Sequence, residues 1–241
     1  MAHRYFLTDI NRNTATVTGP EAAHLIKVMR IKPGDRVILT DRSGWDYTAQ
    51  ATAVEKDSIT FDVLSKEKNP AEPTKKMTVY MALPKSDKLE FITQKMCELG
   101  AVRLVPFVSE YCVAQKSKKD DNKISRLQKI SDEACKQSGR SAPMTVERTH
   151  TFKEILGQLP EYDKVILFYE QGSEKLSEID FSGCENVAII IGSEGGFSQK
   201  EADLMVEKGA ACVLLGSRIL RCETAAVTAA SLVMFCMGEL E

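Results

Sequence analysis

The segment that most restricts what this chain can fold into is Val187–Ala202, VAIIIGSEGGFSQKEA. Five apolar residues run without interruption into Gly192, Ser193, Glu194, Gly195, Gly196 and Phe197. An unbroken apolar run of this length reads as a strand buried on both faces, the habit of parallel sheets covered by helices. Ser198 with Glu201 three positions later is a capping-box signature, so a helix is expected to start there. Strand, glycine loop and helix therefore follow one another directly. Glycines at the end of such a strand let a ligand approach backbone amides at the carboxyl edge of the sheet, where open α/β folds bind small molecules. The loop is not GxGxxG and lacks the lysine of a phosphate loop, so a structural turn without a ligand is the alternative reading.

A second segment, Val213–Ala226, VLLGSRILRCETAA, repeats the arrangement. An apolar run leads to Gly216, then to an irregular piece with Arg218 and Arg221, then to a helix start. Thr224 is the expected N-cap, with Glu223 just before it and Arg221 close by. Two such loops on neighbouring strands can enclose one ligand. The alternative is an Arg221–Glu223 surface pair that contributes little.

The rest of the C-terminal region fits the same class. Met77–Ala82, Val102–Phe107, Lys164–Tyr169, Asn186–Ile191 and Ala211–Leu215 read as strands. Asp87–Leu99, Ile124–Gln137, Gln199–Gly209 and Thr224–Met237 read as helices, with Gly100 and Gly139 as stops. Alternation of this kind predicts α/β architecture, a parallel sheet with helices on both faces. The first 70 residues differ. A short helical pattern (Ala23, Leu25, Ile26, Met29) and the turn Lys32-Pro33-Gly34-Asp35 precede alternating segments at Arg36–Thr40, Tyr47–Val54 and Ser58–Leu64, which predict a small β-sheet or barrel. Lys66–Lys76, KEKNPAEPTKK, is the linker candidate, giving domains at 1–70 and 71–241.

Composition excludes several classes. With 43% hydrophobic and 27% charged residues the chain is neither disordered nor a disulfide scaffold. No apolar run reaches the roughly 18 residues of a membrane span, and the N-terminus has no export signal, so a cytoplasmic location is expected. The seven cysteines form no CxxC pair and His3, His24 and His150 are scattered, which argues against a metal site and for cysteines as small buried hydrophobes. Net charge is -2, yet Cys112–Arg148 holds nine basic residues (116, 118, 119, 123, 126, 129, 136, 140, 148) against five acids. That stretch is either a phosphate-contacting patch or a solvated face. The last helix, apolar on nearly every side, reads as deep core or as an interface.

Taken together, IGSEGGFSQKE and LGSRILRCETA, in this order near the C-terminus, resemble the SPOUT superfamily of RNA methyltransferases, specifically the 16S ribosomal RNA uridine-N3 (RsmE-type) family. HLIKVMRIKPGD at 24–35, KSDKLEFITQKMCELGAVRLVPFVSE at 85–110 and EACKQSGRSAP at 133–143 resemble it too, so the likeness spans essentially the whole chain. Local rules favour an open, unknotted sheet. The resemblance instead implies a C-terminal trefoil knot, a homodimer through the knotted domain, and a PUA-like or OB-like N-terminal domain for RNA. It implies S-adenosylmethionine as cofactor and 16S rRNA in the small ribosomal subunit as partner, with no membrane or metal involved.

Carried over residue by residue, Ile191, Gly192, Glu194, Gly195 and Gly196 would form one cofactor loop. Leu215, Gly216, Ile219, Leu220 and Arg221 would form the other. Glu223 and Thr224 complete the wall, and Leu167 or Phe168 supplies the strand end beneath the adenine. The family pattern has Pro where this chain has Ser193 and Ser217, and Thr where it has Cys222. Arg221 and Glu223 are the catalytic candidates, the arginine stabilising a developing uracilate and the carboxylate orienting it or accepting the proton. Arg4, Arg30, Lys88 and Arg140 are the RNA-contact candidates, placed by resemblance and charge. Two other classes stay open: a ribose 2′-O methyltransferase acting on transfer RNA, and an RNA-binding assembly factor without a cofactor.

Overall fold

The structure is a computed structural model that describes residues 4–11, 13–85, 87–113 and 120–240. His3 and three lysines of the basic stretch, Lys116, Lys118 and Lys119, lie outside the described residues. The chain packs as two compact units, Met1–Glu72 with Cys135–Pro143, and Pro73–Ala134 with Met144–Glu241.

The first unit contains β1 (Arg4–Phe6), β2 (Asp9–Asn11), β3 (Thr14–Thr18), α1 (Gly19–His24), β4 (Arg36–Thr40), β5 (Trp45–Val54) and β6 (Ser58–Lys68). They form one curled sheet in the order β1-β4-β5-β6-β3-β2, antiparallel except for β1 against β4. Alternation places Ala49 and Ala51 of β5, and Ile59 and Phe61 of β6, in a core with Tyr5, Val17, Leu25 and Leu39. Strands β1 and β2 have three residues each, too few to show periodicity, whereas β3, TATVT, alternates with Ala15 and Val17 buried, a strand signal that the sequence reading missed. After α1 the helix widens into a π turn, Leu25–Met29, that buries Leu25 but leaves Met29 exposed, against the expected 3.6-residue pattern. β6 runs four residues past the expected Leu64, because Trp45–Thr48 of β5 supply partners for its charged end. The connection to the second unit therefore begins at Asn69, and it does not begin as a loose linker. The buried Asn69 amide donates to Asp46 Oδ2 (3.0 Å), Gly139 O (2.9 Å) and Ser141 Oγ (2.5 Å). These bonds seat the excursion 135–143 in the first unit, a feature that a single cut near residue 70 does not contain.

The second unit carries β7 (Lys76–Ala82), α2 (Lys88–Glu98), β8 (Arg103–Val108), α3 (Asp120–Ser138), whose last residues belong to the first unit, β9 (Thr145–Val146), β10 (His150–Thr151) and α4 (Phe152–Gln158). It continues with β11 (Lys164–Phe168), β12 (Asn186–Ile191), α5 (Gln199–Glu207), β13 (Ala210–Val213) and α6 (Cys222–Cys236). All sheet pairings are parallel, in the order β10-β8-β7-β12-β11-β13, with β9 beside β8. β12 is flanked on both sides, and all but its first residue are buried, as its apolar run requires. Helices flank the sheet. In α2, Leu89, Ile92, Met96 and Cys97 make the buried stripe.

Two differences from the sequence reading shape the ligand site. β13 stops at Val213, which frees Leu214 and Leu215 from the ladder. α6 starts at Cys222 with Arg221 as its N-cap, so Thr224 sits inside the first turn and caps nothing. Helix α6 turns Ala226, Ala229, Ala230, Val233 and Met234 inward, packing on α2, β7 and β12. Its opposite side exposes Leu232 and Phe235, the latter at 59%. Five of the seven cysteines are buried thiols, Cys212 is half-buried and Cys236 exposed. Among the described residues no helix is long and apolar enough to cross a membrane, and no His, Cys, Asp and Glu cluster could hold a metal ion.

Candidate functional site

A cavity of about 430 Å³ lies at the carboxyl ends of β11, β12 and β13, within the size range of small-molecule sites. Its floor is the strand ends Phe168 and Ile191. One wall is the glycine loop after β12 and the other is the stretch from Leu214 to Cys222. The glycine loop is a tight turn in which the Gly196 N–H donates to Ser193 O at 3.0 Å. A side chain at Gly192 would stand 3.1 Å from Gly196 Cα, tighter than ordinary contact, so a Cβ there would push the loop open. Ser198 and Glu201 form the expected capping box, and Glu201 also accepts the Glu110 N–H at 2.8 Å, which fixes the loop's exit. Behind the loop the Phe197 ring stacks on Phe107, centroids 6.2 Å apart.

Of the cofactor candidates, Phe168, Ile191, Gly192, Glu194, Gly196, Leu215, Gly216, Ile219, Leu220 and Arg221 line this one cavity. Three do not. Leu167 points into the core, fully buried, because neighbouring residues of a strand face opposite sides. Gly195 faces away, where a Cβ would meet Tyr111 at 2.8 Å. Thr224 is exposed on α6. The sequence reading missed Tyr169, Glu170, Ser193, Phe197, Leu214, Arg218 and Cys222 as lining. Most adjoin predicted positions, and the signal that finds them is loop neighbourhood; Glu170 could have been read as the charged residue just past the β11 apolar run.

The polar chemistry centres on Lys88. Its Nζ lies 2.8 Å from Glu194 Oε1, 3.2 Å from Glu223 Oε2 and 4.0 Å from Cys222 Sγ. Glu194 also accepts the Lys85 N–H on both oxygens at 3.2 Å. The Glu194 hydrogen bond raises the Lys88 pKa, offset in part by desolvation and reinforced by Glu223. Burial pushes the Glu194 carboxyl up, but the bonds from Lys88 and from backbone N–H groups outweigh it, and the net shift is downward. Glu223 is lowered chiefly by its own backbone N–H at the start of α6, with Cys222 and Lys88 adding to it. The Cys222 thiol is pushed up to about 12, by burial first and by its bond to Glu223 second.

The expected Arg221–Glu223 relation is replaced. Glu223 is held by Lys88, and Arg221 lines the cavity exposed, with no ion pair among the described residues. The RNA-contact candidates also separate. Lys88 is a cavity residue. Arg140 is 3% exposed and gives its guanidinium to Glu72 at 3.1 Å, while the backbone N–H groups of Ser141 and Ala142 donate to the same carboxylate. Arg4 pairs with Asp46 at 3.0 Å. Both arginines are consumed in the first unit's own ion pairs, which charge counting cannot reveal. Arg30 alone of the four is exposed on the surface away from any ion pair described, in left-handed backbone at φ 54° closing the π turn.

Fold and cavity define a class: a parallel α/β domain that binds a small ligand between two loops at the carboxyl end of its sheet, joined to an independent β unit. Comparison with known proteins narrows it. The RNA methyltransferase PUA domain model matches residues 17–64 and the RNA methyltransferase domain model matches residues 70–234. The Bacillus subtilis ribosomal RNA small subunit methyltransferase E is 33% identical over 230 residues, 92% of this chain and 90% of that protein. The crystal structure of the same-named enzyme from Neisseria gonorrhoeae, bound to S-adenosyl methionine, superimposes with TM-score 0.87 at 28% identity, covering 98% of both chains. A Legionella pneumophila methyltransferase in complex with bound cofactor SAM gives TM-score 0.87 at 25% identity, again over 98% of each. The chain belongs to the RNA methyltransferase family, on the RsmE-type branch that its motifs resemble.

Proposed function

We propose that this protein transfers a methyl group from S-adenosylmethionine to N3 of a uridine in 16S ribosomal RNA of the small subunit. The observation that carries the reading is the cavity, whose walls are the two motif loops; two solved relatives of the whole chain are bound to the same cofactor. The residues present fit it. Phe168, Ile191, Leu215, Ile219 and Leu220 give apolar walls for a flat base, Gly192 and Gly196 put side-chain-free backbone in the lining, and Ser193 Oγ is buried with no hydrogen-bond partner among the described residues.

When bound, the cofactor supplies an electrophilic methyl group on a positively charged sulfur. The chain's own residues must handle the uridine, whose N3 is a poor nucleophile while it keeps its imide proton. Arg221, which has no ion pair among the described residues, stabilises the developing uracilate. Glu223 is the proton acceptor, or else the anchor of the loop. Its lowered pKa and its tie to Lys88 make it a weak base, and so favour electrostatic stabilisation as the larger contribution. N3 takes part in base pairing, so the uridine enters unpaired or flipped out.

Three further parts of the reading rest on particular observations. The chain leaves the edge strand β13 and returns in α6 to pack on central β7 and β12, a path that supports the C-terminal trefoil-knot reading. Exposed Leu232 and Phe235 on α6, with exposed Phe91 on the adjoining α2, form an apolar face suited to a second copy of the chain. The β unit, with Arg30 on its surface, binds the RNA. A cytoplasmic location goes with that substrate. The test is to incubate the protein with labelled cofactor and small subunits from cells lacking the enzyme, then identify the labelled nucleoside by mass spectrometry. Labelled 3-methyluridine is the expected product; a 2′-O-methyl nucleoside would move the activity to the ribose. Arg221→Ala should abolish methylation while cofactor binding is mostly retained; loss of binding alone would remove the role given to Arg221.

A further inference from the structure

Three segments that meet at one side of the cavity come from distant parts of the chain: the start of α2, the glycine loop after β12 and the start of α6. One side chain touches all three. Lys88, the first residue of α2, reaches Glu194 of the glycine loop at 2.8 Å, Glu223 of α6 at 3.2 Å and the neighbouring Cys222 thiol at 4.0 Å. No other ammonium or guanidinium among the described residues is shown paired with either carboxylate. The backbone adds one further tie, from the Lys85 N–H to Glu194.

We infer that Lys88 is a positioning residue for methyl transfer, an ionic clasp that sets the separation of the glycine loop and the N-terminus of α6 and so the width of the cavity between them. The inference rests on the reading of the cavity as the cofactor site. Two carboxylates within reach of each other repel when ionised, and a single cation between them turns that repulsion into attraction. Without the cation, Glu194 keeps only backbone donors, and Glu223 keeps Cys222 and the helix start; nothing else described joins the two walls on this side. The second wall turns on the left-handed Gly216 at φ 78° and α6 lacks a side-chain cap, so the start of α6 is not held in place by a cap of its own. A lysine suits the task because a compact ammonium can donate to both carboxylates at once, while its stem stays on the α2 side.

The clasp also decides ionisation. Lys88 helps hold both carboxyls ionised at low pH, along with the backbone N–H groups at Lys85, Glu194 and Glu223 and the Cys222 thiol; Arg221 and Arg218 are the other cations lining the cavity. Removing Lys88 therefore raises both carboxyl pKa values, and the acid limb of the activity profile moves to higher pH.

The test compares wild type, Lys88→Met and Lys88→Arg in the full chain at a temperature where all three are folded. S-adenosylmethionine affinity is measured by calorimetry, backbone exchange by mass spectrometry without ligand, and kcat against pH on small subunits. In Lys88→Met, exchange at 193–197 and 222–226 is expected to speed up with the first unit unchanged, the acid limb to shift upward, and kcat to fall about 10- to 100-fold, the scale of a misplaced reacting group. Lys88→Arg, whose fork also spans two carboxylates, is expected to recover the exchange pattern and the limb. Wild-type exchange and an unmoved acid limb in Lys88→Met overturn the clasp. A wild-type protein that binds no S-adenosylmethionine overturns the reading of the cavity itself, and the exchange data, taken without ligand, still report on the clasp.

Discussion

Replacing Gly172 by alanine tests how tightly the cavity's far wall is set by backbone packing. Gly172 lies in the turn after β11, where Tyr169 donates to Val213 O at 3.0 Å and the Gly172 N–H donates back to Tyr169 O at 3.0 Å. A Cβ here would stand 2.7 Å from Val213 C and 2.9 Å from both Cys212 O and Leu214 N. These are main-chain atoms and cannot rotate away, so the edge strand β13 must withdraw by about 0.7 Å to restore ordinary contact. Overpacking of this kind costs about 1–3 kcal/mol, and the rigid neighbours put it near the top of that range, about 3 kcal/mol. For a domain of this size that lowers Tm by roughly 6–12 °C. Leu214, displaced with Val213, lines the cavity, so S-adenosylmethionine should bind more weakly as well. Gly216→Ala is the internal control. It sits in the same wall at φ 78° with nothing within 4 Å of a new Cβ, so it carries only left-handed strain of about 1–2 kcal/mol. Scanning calorimetry and cofactor titration on both variants decide the matter. If Gly172→Ala melts with the wild type, or Gly216→Ala is the less stable of the two, the packing argument is wrong.

Other outcomes follow from individual side chains. Arg140→Met leaves Glu72 buried without its cation and should destabilise the first unit by about 3–5 kcal/mol; unchanged unfolding of that unit would return Arg140 to the RNA surface. Arg30→Asn keeps a residue tolerant of left-handed backbone and removes the charge, so stability should hold while the slope of log affinity for RNA against log salt falls by about one; an unchanged slope takes Arg30 off the interface. The raised pKa of Cys222 keeps it a thiol at pH 8, so iodoacetamide should label exposed Cys236 well before it. Because the folded value lies above the ordinary 9.0, the stability that Cys222 contributes is intact below pH 9 and declines as pH rises towards 12. Equal labelling rates at pH 8 would contradict its burial.

Much of this protein is written in short stretches of sequence. The run Asn186–Ile191 is a strand with the bounds its apolar residues imply, and the Ser198–Glu201 box starts α5 where its side chains say. Both follow from local causes: burial on two faces demands continuous apolarity, and unpaired N–H groups at a helix start demand an acceptor nearby. The two motif loops are legible through their glycines: Gly192 stands where backbones close on each other, and Gly216 takes left-handed backbone. Tertiary structure alone decided which charges are available. Arg4, Arg140 and Lys88 look alike as basic residues, yet their partners Asp46, Glu72, Glu194 and Glu223 are brought to them from 42, 68, 106 and 135 positions away. Local sequence does not encode which carboxylate reaches which cation, because Coulomb attraction depends on distance in space and on exclusion of water. For that reason the pairing of Arg4 and Arg140 within the first unit, the clasp across the cavity and the excursion of residues 135–143 into the β unit emerge only once the chain is folded.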